Sequence, residues 1–466
     1  MDPQLLRELR AEFGELVVDD PDTLQARRFD YWVVKHLRDW RGEPIAEAGA
    51  VVQPRSSADV QRLVRFAASH GIAVVPFGLG SGVVGGIEPT PEAIVLDMSR
   101  MNTTRSINST DLLASFDAGK NGAEAEAEVA ALGLTIGHWP QSIAVSSVGG
   151  WVSTRASGQF STAYGNIEDV VYSIEAVLPN GELVTLGKAP RAAAGPDLRH
   201  VLMGAEGTMG IVTGVTFSLR TAPAHRRFTA FHATNMAQGV EAQRMIVRAD
   251  WRPPVMRLYD GVEAKRNFAE HAQDSKALLL MVHEGPVGRV EAEMQDVTRI
   301  VLNAGLAAGN PLASEEWLAK RNHVPHWSEF FEKGFIVDTV EVSAAWSQIN
   351  AVYRDAITGL ESVPGVVAAS AHSSHVYRSG INLYFTFVAV REATELEATY
   401  FACWRHVMDA TVRNGGGIAH HHGGGRMRKP YLANELGESG VGLLRSIKNA
   451  VDPLGIMNPG NLIPEP

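Results

Sequence analysis

Cysteine is nearly missing. The 466 residues contain one, Cys403, so no internal disulfide can close, and the chain reads as the product of a reducing compartment. Cys403 itself lies in an apolar helical stretch, Tyr400-Phe401-Ala402-Cys403-Trp404, and reads as core rather than as a nucleophile. Long hydrophobic runs are missing too: no stretch of about 18 apolar residues exists, which excludes a membrane-spanning helix. Positive charge is in deficit, with 42 Lys and Arg against 52 Asp and Glu. A net charge of −10 argues against a general nucleic-acid or anionic-membrane surface, since both need basic patches. Met1 to Glu15 is charged where a secretory signal would be apolar, and Ile463-Pro464-Glu465-Pro466 is not a Ser-Lys-Leu peroxisomal signal. The expected location is the cytoplasm.

What is present is concentrated. Asn414 to Lys429 places His420, His421 and His422 between two glycine triplets and follows them with Arg426, Arg428 and Lys429. Glycine permits close backbone approach, histidine moves protons near neutrality, and the cations suit a carboxylate or phosphate. Composition alone would also allow a metal tract. Neighbouring side chains on an extended strand point to opposite faces, so three consecutive imidazoles are not expected to converge on one ion.

A chain of this length exceeds one ordinary core and predicts two domains or one domain with a large insertion. Residues 1–45 read as helical. Residues 46–222 alternate helices and strands. A helix starts at Ser56-Ser57-Ala58-Asp59 and stops at His70-Gly71; a buried strand, Ile72 to Phe77, runs into the loop Gly78-Leu79-Gly80-Ser81-Gly82-Val83-Val84-Gly85-Gly86. Gly80, Gly82 and Gly85 satisfy GxGxxG, but Pro89 and Pro91 forbid the helix whose N-terminus would hold a pyrophosphate. A nicotinamide-type Rossmann site is therefore rejected, and a phosphate-cradling nest without a helix stays open. Gln141 to Gly158 reads as a loop rich in small residues, and Glu182 to Leu186 as the second strand of a hairpin turned at Asn180-Gly181. Residues 223–440 carry most of the histidines and tryptophans and longer helices, and 441–466 read as a return to the first domain.

These pieces together, in order, resemble flavoproteins of the vanillyl-alcohol-oxidase type, an α+β fold in which a two-part FAD-binding domain carries an α+β cap. The specific segments are Val148 to Gly158, Tyr164 to Asp169, Met256-Arg257-Leu258-Tyr259-Asp260 and His420 to Gly423. Within that superfamily the chain looks most like the alkylglycerone-phosphate synthase branch. The resemblance implies FAD contacts from Phe77, Gly78, Gly80, Ser81 and Gly82, and from Ser146, Ser147, Gly149, Gly150, Ser153 and Thr154. It adds Asn166 and Asp169 near the flavin, and Glu206, Gly210 and Ile211 on the adenine side. Superfamily members that tether their flavin covalently do so through a histidine or cysteine; the first loop here has neither, so dissociable FAD is expected.

The family's reacting residues map onto Tyr384, His421 and His422, with Arg257 at a further functional arginine and His420 beside them. In the synthase branch flavin N5 acts as an electrophile that traps dihydroxyacetone phosphate after its acyl group leaves. One departure stands out. Counting back from Trp346, an arginine of that branch falls here on Trp327, with Arg321 only nearby. An aromatic wall in place of an anion clamp argues against a phosphorylated substrate. Related D-2-hydroxy-acid dehydrogenases bind a divalent metal, but His421 and Tyr384 replace two of the ligands, so no metal is expected. His372 and His375 lack an obvious carboxylate; His375 reads as a hydrogen-bonded strand histidine or as a residue facing the flavin, and Arg426 as an anion-orienting cation.

The reading is thus an FAD oxidoreductase acting on a small or aromatic alcohol or hydroxy acid. The synthase exchange reaction is the alternative, and a flavin-free binding protein the third, least favoured, option. The expected partners are a small-molecule substrate and, since such flavoproteins are often dimers, a second copy of the chain.

Overall fold

Short runs of β-branched residues build the first layer. The structure, a computed structural model, describes residues 1–465. Ala50–Val52 and Val74–Phe77 both pair in parallel with Ile94–Asp97, and Val17–Val18 closes the edge of this four-stranded sheet. The helix Ser57–His70 makes the crossover between Ala50–Val52 and Val74–Phe77, the two strands that flank Ile94–Asp97. Ser56 caps its start by accepting from Asp59 N–H at 3.2 Å, and Gly71 ends it at φ +65°. Val60, Leu63, Val64, Phe66 and Ala67 form its buried face.

A second, antiparallel sheet follows in the order Thr104–Asn108, Leu113–Asp117, Ile211–Ser218, Val171–Val177, Leu183–Leu186, the last pair joined by the expected Asn180-Gly181 hairpin. Gln141 to Gly158 is more than a loop: Val148–Thr154 is a helix. Two glycines make a poor helix, yet tertiary packing decides here. Ser147 accepts from Gly150 N–H at 3.2 Å, and Trp151 packs on Phe217 at 6.1 Å between ring centres. A Cβ at Gly149 would fall 2.7 Å from Ala118 Cβ, so only glycine lets this turn lie against the sheet.

The cap is one seven-stranded antiparallel sheet. Its two longest strands, Phe335–Ala345 and Gly380–Val390, pair along their whole length and set Glu341 opposite Tyr384. The helices Ile349–Ser362 and Leu396–Arg413 bury Val352, Leu360, Tyr400 and Cys403 against it.

Both ends of the chain tie the layers together. Leu9 and Phe13 lie in the core of the first domain, whereas Trp32, Val33, Val34 and Leu37 lie in the cap core. At the other end Ile456 and Met457 rejoin the first core, with Val74 N–H donating to Ile456 O at 2.8 Å. Among the described residues no helix is long and apolar enough to cross a membrane.

Trp32 fills the cap core from the N-terminal segment and donates to the Tyr400 hydroxyl at 3.0 Å. Trp32→Ala is expected to destabilise the protein by about 3–5 kcal/mol in denaturant unfolding, and Trp32→Phe by clearly less, because most of the packing survives.

Candidate active site between the domains

The strand Val74–Phe77 delivers the chain into the glycine loop, and each glycine there answers a neighbour. A Cβ at Gly78 would meet Ser147 Oγ at 2.5 Å, at Gly80 the Phe77 ring at 2.7 Å, and at Gly82 Asp30 Oδ2 at 2.9 Å. Gly80 also stands at φ +73°. The loop is therefore pressed against the first turn of Val148–Thr154. The helix that the two prolines deny to the loop comes from another part of the chain. Beneath the loop, Asp30 accepts from Gly86 N–H at 2.8 Å, and burial raises its carboxyl to about 7.

This wall faces a cleft of about 590 Å³ whose other wall is the cap. Glu341 dominates that side. It is fully buried, and its Oε1 accepts from the backbone N–H of His420, His421 and His422 at 3.2, 3.1 and 2.9 Å. Its Oε2 lies 3.0 Å from His422 Nδ1 and pairs with the buried Arg428 guanidinium. Burial opposes ionisation, but Arg428 and His422 outweigh it and hold the carboxyl well below the usual range. Three donors on one oxygen turn the triplet backbone around the carboxylate.

The rings then find partners in sequence. Tyr384 bonds His421 Nε2; His421 Nδ1 meets His420 Nδ1 at 2.6 Å; His420 Nε2 meets the Tyr377 hydroxyl at 2.6 Å. His375 Nδ1 lies 2.6 Å from Ser161 Oγ and 3.1 Å from Ser157 Oγ, and its ring stacks on His420 at 4.7 Å. Burial pushes His420 down to about 4, and burial with the neighbouring imidazoles drives His421 and His375 well below the ordinary histidine value. Of the three consecutive imidazoles, His420 and His421 gather with His375, the nearest ring nitrogens lying within 4.8 Å of one another, while His422 turns to Glu341.

Beside this group, Arg257 gives Nη2 to His372 Nε2 at 2.8 Å and Nε to the Tyr259 hydroxyl at 2.8 Å. His372 is not without a carboxylate: its Nδ1 lies 2.9 Å from buried Glu263, and its ring stacks on Tyr384 at 4.7 Å. Glu263, Glu341, Asp30 and Tyr377 were not legible as site residues. Their partners in the site lie 43 to 211 positions away, and no local motif marks them.

Most predicted residues line the cleft. From the first domain these are Phe77 to Gly82, Ser146, Ser147, Gly149, Gly150, Ser153, Thr154, Glu206, Gly210 and Ile211. From the cap they are Arg257, Trp327, His375, Tyr384, His421 and His422. Five do not. Asp169 closes a capping box, accepting from Asn166 N–H at 2.9 Å, and so fixes a short helix. Asn166 and His420 line a separate cavity on the far side of the triplet. Arg321 turns its Nη1 to Leu318 O at 2.5 Å and lies over the Phe160 ring. Arg426 is taken up by Glu88 at 2.7 Å and Gly460 O at 2.9 Å. Trp327 packs tilted against Tyr31, with ring centres 5.3 Å apart, and donates to Tyr31 O at 3.1 Å, forming an aromatic wall.

With this geometry in hand, the relatives of the chain are informative. A family model described as FAD binding domain matches residues 48–187, and one described as FAD linked oxidases, C-terminal domain, matches 222–462, more than half of the chain. The alkyldihydroxyacetonephosphate synthase of Dictyostelium discoideum is 29% identical over 502 residues, covering 99% of this chain and 81% of that protein. The uncharacterized FAD-linked oxidoreductase YgcU of Escherichia coli (strain K12) is 32% identical over 431 residues, 89% of each. A solved structure of alkyldihydroxyacetonephosphate synthase matches with a TM-score of 0.83 at 26% identity, covering 99% of this chain and 86% of that one. Fold and family models define a flavoprotein of the vanillyl-alcohol-oxidase type. The chain belongs to the FAD-linked oxidases, and its cofactor is FAD. The residues present fit that group: glycines at 78, 80, 82 and 149 leave main chain where no Cβ could stand, beside a capped helix start.

Glu341→Gln keeps the shape but removes the charge that Arg428 and three amides share. It is expected to cost about 3–5 kcal/mol by denaturant unfolding. Acid lability follows from the histidines. The unfolded chain binds protons below about pH 6.5, but folded His420 does so only near 4. Stability is full above 6.5 and lost as pH falls towards 4, by up to about 1.4 kcal/mol per histidine per pH unit. Unfolding titrations across that window check this; a flat profile contradicts it.

Proposed function

We propose that the protein oxidises a small hydroxy acid or alcohol, with Arg257 holding the anionic end of the substrate. One observation carries the reading: Arg257 is the only Lys or Arg among the described residues that line the cleft. Its Nε and Nη2 are held by Tyr259 and His372, which leaves Nη1 without a hydrogen bond among the described residues. A single guanidinium edge suits a carboxylate; a dianionic phosphate asks for more. The Tyr31–Trp327 wall, where the synthase branch carries an arginine, supports the same reading.

The chain's own part is to orient the substrate and handle its proton. Bound FAD supplies a two-electron acceptor that takes a hydride. Tyr384 and His421 sit together in the cleft, and both are biased towards neutrality by burial, so His421 can receive a hydroxyl proton passed through Tyr384. His422 is committed to Glu341 and serves to fix the loop. The lack of His and Cys in Phe77 to Val83 supports dissociable FAD. A second reading, exchange of acyl for alkyl on dihydroxyacetone phosphate, is favoured by the retention of Tyr384, His421, His422 and Arg257 and by the likeness to the Dictyostelium enzyme.

Anaerobic titration of the bound flavin separates the two. Bleaching by 2-hydroxy acids or aromatic alcohols, reversed by an electron acceptor, is expected. Bleaching only by acyl-dihydroxyacetone phosphate, with fatty acid released and no acceptor required, would establish the exchange reaction instead. Arg257→Met should raise KM for a carboxylate substrate by about 10- to 100-fold, the worth of one charge-assisted hydrogen bond, with a smaller change for an uncharged alcohol.

A further inference from the structure

The histidine triplet separates two spaces. On one side is the cleft; on the other is a cavity of about 670 Å³ lined by Tyr377, His420, His421, Asn166, Glu168 and Arg155, among others. His421 lines both. We propose that Tyr384, His421, His420 and Tyr377 form a proton wire that carries the proton released in the cleft to the second cavity. The wire rests on the proposed oxidation only for the source of that proton.

Geometry favours one polarity. Tyr384 donates to His421 Nε2, which leaves the His421 proton on Nδ1, donated to His420 Nδ1 at 2.6 Å. The His420 proton is then on Nε2, donated to the Tyr377 oxygen at 2.6 Å. Tyr377 in turn donates to Asn166 Oδ1 at 3.2 Å, an atom that also accepts from Ser157 Oγ at 2.5 Å. The reverse polarity would set Tyr377 oxygen and Asn166 Oδ1 against each other as two acceptors. Every link thus holds one proton, and all point out of the cleft.

The balance is simple. The substrate O–H bond breaks and its proton joins Tyr384 oxygen, while the Tyr384 proton moves to His421 Nε2. The His421 Nδ1 proton passes to His420 Nδ1, the His420 Nε2 proton to Tyr377, and the Tyr377 proton to water in the second cavity. One proton enters and one leaves; both imidazoles exchange tautomer, and reorientation of the hydroxyls and imidazole rings, which moves no net proton, restores the starting polarity.

The charged groups facing the wire are Glu341 and Arg428 behind the triplet, Arg257 beside Tyr384, and the Glu168–Arg155 pair at the outer cavity. Burial disfavours both imidazolium and tyrosinate along the chain, which suits concerted transfer through neutral groups rather than a stop at any one of them. The same contacts argue against a metal ion at His375, His420 and His421. Two imidazole nitrogens on a tetrahedral ion at about 2.0–2.1 Å lie roughly 3.3 Å apart, whereas His420 Nδ1 and His421 Nδ1 stand at 2.6 Å, a shared-proton distance.

The test uses the full chain loaded with FAD and 15N-labelled at histidine. Long-range 15N–1H NMR should show His421 protonated on Nδ1 and His420 on Nε2, with both N–H protons shifted downfield. Tyr377→Phe should move the His420 Nε2–H signal upfield, because its acceptor is gone. Opposite tautomers, or a stoichiometric divalent metal by elemental analysis, would overturn the wire without any substrate being needed. With a hydroxy acid that bleaches the flavin, an indicator dye follows proton release. Tyr377→Phe and His420→Gln are expected to delay release at least tenfold behind bleaching, and small imidazole buffers entering the outer cavity should restore it in His420→Gln. Release that keeps pace with bleaching in both variants would also overturn the wire. If no hydroxy acid bleaches the flavin, the proposed substrate class fails while the tautomers still decide the wire.

Discussion

The buried carboxylate of Glu341 is the constraint on which the rest of the site depends. Three successive amides, from His420 to His422, would be orphaned donors without it, and an orphaned buried donor costs about 1–3 kcal/mol. The carboxylate would in turn be intolerable without Arg428, whose guanidinium also donates to Ile418 O at 2.8 Å and Gly423 O at 2.9 Å. Arg428 belongs to the same segment as the histidines, so the loop brings its own counter-ion. The loop is rigid because charge, backbone and counter-ion are mutually satisfied.

A second glutamate fastens the loop's other end to the other domain. Glu206 Oε1 accepts from Gly424 N–H at 2.6 Å and Gly425 N–H at 3.1 Å, and its Oε2 accepts from Asn461 Nδ2 at 3.1 Å. Glu206 itself stands at φ +48°, a conformation disfavoured for a side-chain-bearing residue. The surrounding contacts, including Asn458 Nδ2 to Glu206 O at 2.8 Å, keep it there. The histidine loop is thus held between a cap glutamate and an FAD-domain glutamate. Its glycines are required where φ is positive, as at Gly423 (+86°) and Gly425 (+50°), and where Val84 leaves no room for a Cβ.

This division explains what could be read in the sequence. Local signals were legible: the glycine loop, the Asn180-Gly181 hairpin, the histidine triplet, and the family motifs carrying Arg257 and Tyr384. The rejection of a Rossmann helix after Gly86 was sound for the loop itself, but a helix start does reach it, from Ser147, through a contact 69 positions away in sequence that no local pattern encodes. Asn166 and Asp169 carry a structural role as well. Asn-x-x-Asp ahead of an apolar run is a helix-capping spelling, and here the capping role claims the Asp169 carboxylate. Arg321 and Arg426 do not line the cleft: Arg321 is turned to Leu318 O and lies over Phe160, and Arg426 is paired with Glu88, a contact that no local pattern encodes.

The scarcity of cations sharpens the chemistry. Of the cations in the histidine segment, Arg428 is neutralised by Glu341, and Arg426 and Lys429 are drawn to Glu88 and to Gly460 O. The positive charge left facing the cleft is Arg257, and its neighbours His372 and Glu263 form a buried row behind it. In that row Glu263 is held below its usual range despite burial, through His372 and the arginines beside it. A carboxylate fixed behind a histidine behind a guanidinium sets the guanidinium's direction and tempers its charge. A site so arranged favours one well-oriented monoanion or an uncharged alcohol over a dianion, while the imidazoles opposite remain neutral and free to exchange protons.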